Sequence, residues 1–164
     1  MNELIFLNIP QLENNIEHIF SLFKNNEKTM TEFYSLEGKD PVLSVLKIND
    51  NFLNSVIKDI VKNVEFNSRI FKHHKSYEHS IHKDVEGIKC ALNFILKGYN
   101  SPIIFYDDGK KEIKKYYYRC GLINTEKYHS VPPSYEDRIF LRFGFYTSFD
   151  EIKKMLKKYE LHNV

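Results

Sequence analysis

With 164 residues, the chain is long enough to bury a hydrophobic core without disulfide or metal staples, and its length predicts a single domain spanning 1–164. Its net charge of +2 at pH 7 lacks the dense basic footprint of a dedicated nucleic-acid binder, so a nucleic-acid partner is possible but not indicated. The two cysteines, Cys90 and Cys120, lie far apart and form no CxxC pair, which argues against a disulfide scaffold or a zinc ribbon.

The N-terminus does not have the pattern of a secretory signal. Its short apolar run, in MNELIFLNIPQLENN, carries acidic and polar residues and lacks a basic start. No segment approaches the roughly 18 consecutive apolar residues that indicate a membrane-spanning helix. We therefore expect a soluble cytoplasmic protein with no membrane partner.

Two helices are predicted in the N-terminal part of the chain, over 1–65. Apolar residues recur at helical spacing over about 11–24 and again over 52–64, where Asp50 has the residue type of an N-cap. The segment YSLEGKDPVLSVLKI between them is ambiguous, because a glycine and a proline interrupt it. We expect this region to form a helical support for the rest of the domain.

From Phe66 onward, the pattern changes to short runs rich in β-branched and aromatic residues, separated by turn-forming residues. The runs are SRIFKHH, GIKCALNFIL, PIIFY, IKKYYYRCGLI, HSV and RIFLRFGFYT. Asp108-Gly109, between two of them, is a hairpin signal. Closely spaced strands without helices between them predict an antiparallel sandwich or barrel over about 66–147, and the capping box SFDE begins a final helix over 148–164.

A candidate metal site lies in this strand-rich region. In an extended SIHKD segment, the side chains of His82 and Asp84 project from the same face, because successive side chains of a strand alternate. His129 begins a later run, and a barrel that folds back to pair its strands can bring it next to the first two residues. Two histidines and one carboxylate on one face of a metal leave three positions open, which is the arrangement of non-haem Fe(II) oxygenases.

The ordered set of residues resembles the Fe(II)/2-oxoglutarate-dependent oxygenases. The resemblance is carried by IHKD, then ALNFIL and PIIFY, then LINTEKYHSVPPSYEDRIFLRFGF, in the order His-x-Asp, distal His and Arg. It covers about 66–147, which is half of the chain. It implies a mainly β (α+β) fold in which flanking helices surround a double-stranded β-helix, a variant of the jelly roll.

The resemblance also implies roles for single residues. His82, Asp84 and His129 would ligate Fe(II), and Arg138 would hold the distal carboxylate of 2-oxoglutarate, the cosubstrate used together with O2. A buried dicarboxylate needs a fixed cation, and arginine supplies a planar bidentate one. Arg142 is the alternative anchor because it shares a strand face with Arg138. A surface ion pair is the other interpretation of either arginine.

Two further polar residues are candidate contacts of the cosubstrate. Asn93 interrupts the apolar run ALNFIL and either hydrogen-bonds the cosubstrate or lies on a solvated strand face. Tyr106 ends PIIFY and could donate its hydroxyl to a carboxylate, although most tyrosines at strand ends are packing residues. Because the Asp84 carboxylate fills a position that chloride would need, the resemblance implies hydroxylation of a prime substrate, coupled to oxidative decarboxylation of 2-oxoglutarate, rather than halogenation.

Other interpretations stay open. A histidine-rich tract of His73, His74 and His79 near His82 can bind metal without catalysis, and we expect these three side chains at the surface or in a substrate cleft. The strands also fit a non-catalytic β-sandwich binding protein or a cupin-like metal-dependent isomerase or lyase, because fold does not dictate function. The sequence identifies neither the prime substrate nor the oligomeric state.

Overall fold

Two antiparallel sheets and a layer of helices make up the structure, a computed structural model that describes residues 3–36, 38, 40–84, 87–98 and 100–162. The helices are α1 (Pro10–Glu13), α2 (Ile16–Asn26), α3 (Asn51–Ile60) and α4 (Phe149–Leu156). The strands are β1 (Leu4–Phe6), β2 (Thr31–Tyr34), β3 (Pro41–Lys47), β4 (Phe66–His73), β5 (His79–His82), β6 (Cys90–Lys97), β7 (Ile103–Tyr106), β8 (Glu112–Tyr116), β9 (Cys120–Asn124), β10 (Tyr128–Val131) and β11 (Arg138–Phe145).

In the described part of the chain, seven strands form the larger sheet, in the order β1-β9-β6-β11-β4-β3-β2, and four form the smaller sheet, in the order β5-β10-β7-β8. From β4 onward, the chain passes repeatedly from one sheet to the other, so strands that are distant in sequence become neighbours. This arrangement is a double-stranded β-helix, and it confirms the predicted mainly β fold with flanking helices.

Strand β11 lies at the centre of the larger sheet, and its two faces differ. Its apolar side chains at alternate positions pack against the helices; they are Ile139, Leu141, Phe143 and Phe145. Arg138, Phe140 and Arg142 alternate with them and face the space between the two sheets. The sheet therefore directs two arginines into the interior of the β-helix.

The helices cover the outer face of the larger sheet. Asp50 caps α3 as predicted, and its Oδ1 accepts a hydrogen bond from the backbone N–H of Leu53 at 2.9 Å. At the start of α4, Ser148 Oγ donates to Glu151 Oε2 at 2.6 Å, a contact within the predicted capping box. None of the helices in the described residues is long and apolar enough to cross a membrane.

The N-terminal part of the chain contributes three strands that the sequence patterns did not predict. β1 extends the larger sheet beyond β9, and β2 and β3 extend it beyond β4. All four residues of β2 are exposed, and β1 is only three residues long, so neither shows a readable alternation of apolar and polar residues. The region 1–65 is therefore part of the sheet as well as a helical support.

Several element boundaries also differ from the predictions. The helix expected over 11–24 is broken into α1 and α2, where Asn15 Nδ2 donates to the backbone carbonyl of Gln11 at 2.9 Å and competes with helical bonding. The run IKKYYYRCGLI is divided between β8 in the smaller sheet and β9 in the larger sheet. The hairpin at Asp108-Gly109 is confirmed, because β7 pairs with β8 on either side of it.

Some predictions fall on residues outside the described ones. They concern residues 1, 2, 37 and 39 of the region expected over 1–65, residues 85, 86 and 99 of the β region expected over 66–147, and residues 163 and 164 at the end of the helix expected over 148–164. In the described part, α4 ends at Leu156 and is followed by a short 3-10 turn over Lys157–Tyr159. The single domain over 1–164 stays a prediction.

Candidate metal centre

Two histidines of the smaller sheet lie side by side because their strands are paired. β5 and β10 are antiparallel neighbours, and His82 is the register partner of His129. Asp84 lies two residues beyond the end of β5, and its backbone N–H donates to the carbonyl of Thr125 at 3.0 Å, which returns the loop toward β10. The fold thus brings together His82, Asp84 and His129, the three residues that the sequence predicts as a metal site.

The potential ligand atoms of these residues converge on one point. The Nε2 atoms of His82 and His129 each lie 3.4 Å from Asp84 Oδ1, and the two imidazole centroids are 4.3 Å apart. One ligand atom from each residue can be chosen such that all three lie within 4.8 Å of one another. Metal bonds of about 2.1 Å at right angles separate neighbouring donor atoms by about 3.0 Å, so a spacing of this size fits one transition-metal ion.

Backbone carbonyls orient both imidazole rings toward that point. His82 Nδ1 lies 2.7 Å from the carbonyl oxygen of Ser80, and His129 Nδ1 lies 2.9 Å from that of Lys127. A carbonyl oxygen only accepts hydrogen bonds, so each Nδ1 carries a proton, and each Nε2 is the nitrogen that is left to bind a metal. This arrangement supports the ligand role because it selects the tautomer that a metal requires.

Asp84 is held in its charged form. Its burial alone would raise the pKa of Asp84, but the Arg142 guanidinium and the neighbouring His129 and His82 lower this pKa well below its usual range. Arg142 Nη2 donates to Asp84 Oδ2, while Oδ1 is the oxygen that faces the two histidines. The carboxylate is therefore ionised and has one oxygen directed at the candidate metal position.

A buried polar cluster lies deeper between the sheets. Arg138 is 3% exposed, and its Nη2 donates to the hydroxyl oxygen of Tyr118 at 2.9 Å. Asn93 Nδ2 donates to the same oxygen at 3.1 Å. Arg138 Nε and Asn93 Oδ1 are buried without a hydrogen-bond partner among the described residues, and no carboxylate in that part of the chain pairs with Arg138. Such groups are costly to bury, and together they offer one hydrogen-bond donor and one acceptor inside the β-helix.

Two adjacent spaces lie beside this cluster and the three candidate metal ligands. The inner cavity, of about 50 Å³, is lined by Asn93, Tyr118, His129 and Arg138 among others. The outer cleft, of about 290 Å³, opens above Asp84 between Phe33, Phe71 and Ile88. Both spaces share Leu43, Phe71, His79, His82 and Arg142. The shared residues therefore place the two spaces next to each other, with Arg138 in the lining of the inner cavity and Asp84 in the lining of the outer cleft.

Tyr106 lies away from this site. Its hydroxyl is 2.8 Å from Ser130 Oγ, and Ser130 alternates with His129, so Tyr106 is on the opposite face of the smaller sheet. Its predicted contact with the cosubstrate is therefore corrected, and Tyr118 occupies the corresponding place beside Arg138. The run KYYYR contains three adjacent tyrosines, and only the chain's passage between the sheets distinguishes Tyr118 from the others.

The other histidines of the tract have separate surroundings. His79 lines both spaces. Burial is the largest cause that lowers the pKa of His79, to about 4, and the neighbouring His82 and His129 contribute to the same shift. His73 is buried in the wall of the inner cavity rather than at the surface, and burial and the charge of Arg138 lower the pKa of His73 well below its usual range. His74 is part-buried, and its Nε2 lies 2.8 Å from Ser44 Oγ.

No protein-family model matches the chain, and no curated protein sequence matches it. Solved structures are similar to it. A prolyl-4-hydroxylase from Pseudomonas putida matches with a TM-score of 0.58 and 12% identity, over 87% of this chain and 90% of that chain. A prolyl hydroxylase from Trichoplax adhaerens, in complex with a hypoxia-inducible factor peptide fragment, matches with a TM-score of 0.58 and 12% identity, over 94% and 84% of the two chains.

The epimerase SnoN, in complex with Fe³⁺, α-ketoglutarate and nogalamycin RO, matches with a TM-score of 0.55 and 7% identity, over 87% of this chain and 77% of that chain. A 2OG-Fe(II) oxygenase family member from Burkholderia pseudomallei also matches, with a TM-score of 0.51 and 10% identity, over 78% and 77%. At these identities the similarity shows the fold, and the fold is the one that the resemblance to 2-oxoglutarate-dependent oxygenases implies.

Proposed function

We propose that the protein is an Fe(II)- and 2-oxoglutarate-dependent dioxygenase that hydroxylates a prime substrate. The observation that carries the proposal is the position of Arg138, a buried arginine without a carboxylate partner among the described residues, in the same cavity as His82 and His129. The Nε2 atoms of these two histidines each lie 3.4 Å from Asp84 Oδ1, which completes the candidate metal site. A metal site alone fits many proteins, whereas a metal site joined to an anion site fits a chelating dicarboxylate.

His82, Asp84 and His129 would hold the Fe(II) through two Nε2 atoms and Oδ1. When bound, the iron and 2-oxoglutarate supply the chemistry that activates O2. The carbonyls of Ser80 and Lys127 keep the two imidazole rings in the ligating tautomer, so the protein needs no rearrangement of protons at these nitrogens. The carboxylate of Asp84 fills one position, which favours hydroxylation over halogenation.

Arg138 would bind the distal carboxylate of 2-oxoglutarate. Its guanidinium retains an unpartnered Nε–H, and charge-assisted hydrogen bonds to a carboxylate are about twice as strong as neutral ones. Tyr118 accepts hydrogen bonds from Arg138 and Asn93, so its own hydroxyl hydrogen is available to the ligand. The apolar walls formed by Ile103, Phe140 and their neighbours exclude water from this end of the cavity.

The outer cleft is the proposed entry for the prime substrate. It reaches His82 and Asp84 from the surface, and Phe33 at its rim is half exposed. The similar structures were obtained with ligands as different as a peptide fragment and nogalamycin RO, so the shared fold does not select a substrate class. We keep the cytoplasmic location as part of the proposal, and the two free cysteines are buried, as a reducing compartment permits.

The test is succinate formation from 2-oxoglutarate by protein loaded anaerobically with Fe(II) and then exposed to O2, with a panel of amino acids, peptides and nucleobases. We expect turnover that requires Fe(II) and is lost in His129→Ala and Arg138→Ala. The matched control is His74→Ala, because His74 bonds to Ser44 outside both spaces and its removal should preserve turnover. Failure of the wild-type protein to bind both Fe(II) and 2-oxoglutarate would refute the assignment.

A further inference from the structure

We propose that Arg142 is a positioning residue for the metal centre, which orients the Asp84 carboxylate so that only Oδ1 faces the metal. The inference rests on the proposed function, because it concerns the same centre. It starts from the ion pair between Arg142 Nη2 and Asp84 Oδ2, whose side chains are only 15% and 14% exposed. Water competes weakly for such a pair, so the attraction between the two side chains is stronger than at the surface.

Arg142 lies on β11, which is paired with a neighbouring strand on each side. In the larger sheet, Arg142 is the register partner of Arg69 on β4 and of Asn93 on β6. Its guanidinium carbon lies 5.8 Å from the ring centroid of Phe71, within the range of a cation–π contact. The backbone and the ring together fix where the guanidinium points.

Asp84, in contrast, lies outside the strands. It lies two residues after the end of β5, and the loop is tied back by the backbone hydrogen bond from Asp84 to Thr125. A carboxylate on such a loop can rotate about its side-chain torsions unless one oxygen is anchored. Arg142 provides this anchor from β11 in the opposite sheet. The ion pair therefore restricts how the Asp84 carboxylate can rotate.

Which oxygen of Asp84 faces the metal determines how many coordination positions the carboxylate occupies. A carboxylate binds a metal through one oxygen or two, and a second oxygen would occupy one of the three positions opposite the triad. Oδ1 lies 3.4 Å from both histidine Nε2 atoms, whereas Oδ2 is engaged by Arg142. The ion pair therefore keeps Asp84 monodentate and leaves the three positions for the cosubstrate and O2.

The two arginines of β11 thus have different tasks, although they lie on the same strand face. Arg142 already has a carboxylate partner within the chain, and Arg138 has none among the described residues. This supports Arg138 as the proposed anchor of the cosubstrate, while the alternative in which Arg142 anchors it stays a prediction that the experiment below tests.

The experiment compares Co(II) binding by the full-length wild-type protein, Arg142→Met, Arg142→Lys and Arg138→Met, without cosubstrate. Loss of a residue that orients a metal ligand typically lowers metal affinity about 10–100-fold. We expect this loss in Arg142→Met, with an altered Co(II) d–d absorption spectrum that reports the changed coordination. Arg142→Lys should be intermediate, because it retains the charge without the planar fork. Arg138→Met, the matched control on the same strand face, should bind Co(II) as the wild type does.

Each result has a defined meaning. If folded Arg142→Met binds Co(II) with wild-type affinity and spectrum, the inference is wrong, and a selective loss of 2-oxoglutarate binding would show that Arg142 is a cosubstrate ligand. If Arg142→Met does not fold, the Co(II) affinity of Arg142→Lys tests the inference instead. If neither variant folds, the inference is wrong, and the ion pair serves only to stabilise the fold. If the wild type itself binds no Co(II), the proposed function fails rather than this inference.

Discussion

Arg138 should stabilise the cosubstrate complex at the expense of the ligand-free fold, and Arg138→Met tests this. The wild-type side chain is 3% exposed, with an unpartnered Nε and no carboxylate partner in the described part of the chain. A buried donor without a partner costs about 1–3 kcal/mol, which methionine would not incur. Against this gain stand one hydrogen bond to Tyr118 and a cation–π contact with Phe140 at 5.2 Å, each worth about 1 kcal/mol.

The methionine variant also keeps the unbranched shape and apolar stem of the side chain. Methionine also avoids the cost of burying the guanidinium charge, and replacing buried ionic groups by apolar groups of similar volume is often neutral or stabilising. We therefore expect ligand-free Arg138→Met to be at least as stable as the wild type, with a gain of about 0–2 kcal/mol. The same variant should lose two charge-assisted hydrogen bonds to 2-oxoglutarate, about 3 kcal/mol or more in total, which weakens binding at least about 100-fold.

The assay combines urea denaturation of the ligand-free proteins with calorimetric titration of 2-oxoglutarate into the metal-loaded proteins. Arg142→Met is the control, because it should change the stability of the ligand-free protein in the opposite direction. It leaves the buried Asp84 carboxylate unpaired and should destabilise the fold by about 3–5 kcal/mol. An Arg138→Met protein that is less stable than the wild type and binds 2-oxoglutarate equally well would refute the reasoning. The buried charge would then stabilise the ligand-free fold and not bind the cosubstrate.

Three further predictions concern the surroundings of the site and the support of the sheet. Tyr118→Phe removes the hydroxyl that accepts from Arg138 and Asn93, so 2-oxoglutarate should bind about 5–10-fold more weakly, a loss of about 1 kcal/mol, while calorimetry with Co(II) alone shows unchanged metal affinity. Hydrogen bonding to Lys72 lowers the pKa of Glu27 below its ordinary value of 4.5, so ionised Glu27 stabilises the fold above that value and loses this contribution as the pH falls through its lower folded-state pKa. Urea denaturation of Lys72→Met should therefore show a shallower loss of stability between about pH 5 and pH 3 than the wild type, and equal slopes would exclude this contribution. Asp50→Ala removes the cap of α3 and should cost about 1 kcal/mol in urea denaturation, whereas an unchanged midpoint would mean that water replaces the cap.

The sequence predicted that His82, Asp84 and His129 lie together, because their positions depend on local spacing and on strand pairing. His82 and Asp84 are two residues apart at the end of β5, and antiparallel pairing with β10 places His129 beside them. Arg138 and Arg142 share one strand face as the alternation of β11 requires, and both line the inner cavity. These features follow from the period of a strand and need no knowledge of distant contacts.

Features that depend on long-range packing were not predictable in the same way. Tyr118 is one of three consecutive tyrosines, and only the chain's crossing between the sheets turns it toward Arg138. Tyr106 was assigned to the site from its position at a strand end, although its side chain points to the opposite face. The strands β1 to β3 join the larger sheet through pairing partners elsewhere in the chain, so their short segments carry little local signal.

The measurement that tests the central claim most directly is anaerobic addition of 2-oxoglutarate to protein loaded with Fe(II), followed by visible absorption. A chelate of Fe(II) and 2-oxoglutarate gives a charge-transfer band without any prime substrate. The account predicts this band in the wild type, its loss in His129→Ala, and its appearance only at much higher 2-oxoglutarate concentration in Arg138→Met. Wild-type protein that binds Fe(II) but forms no such chelate would contradict the joint metal and dicarboxylate site.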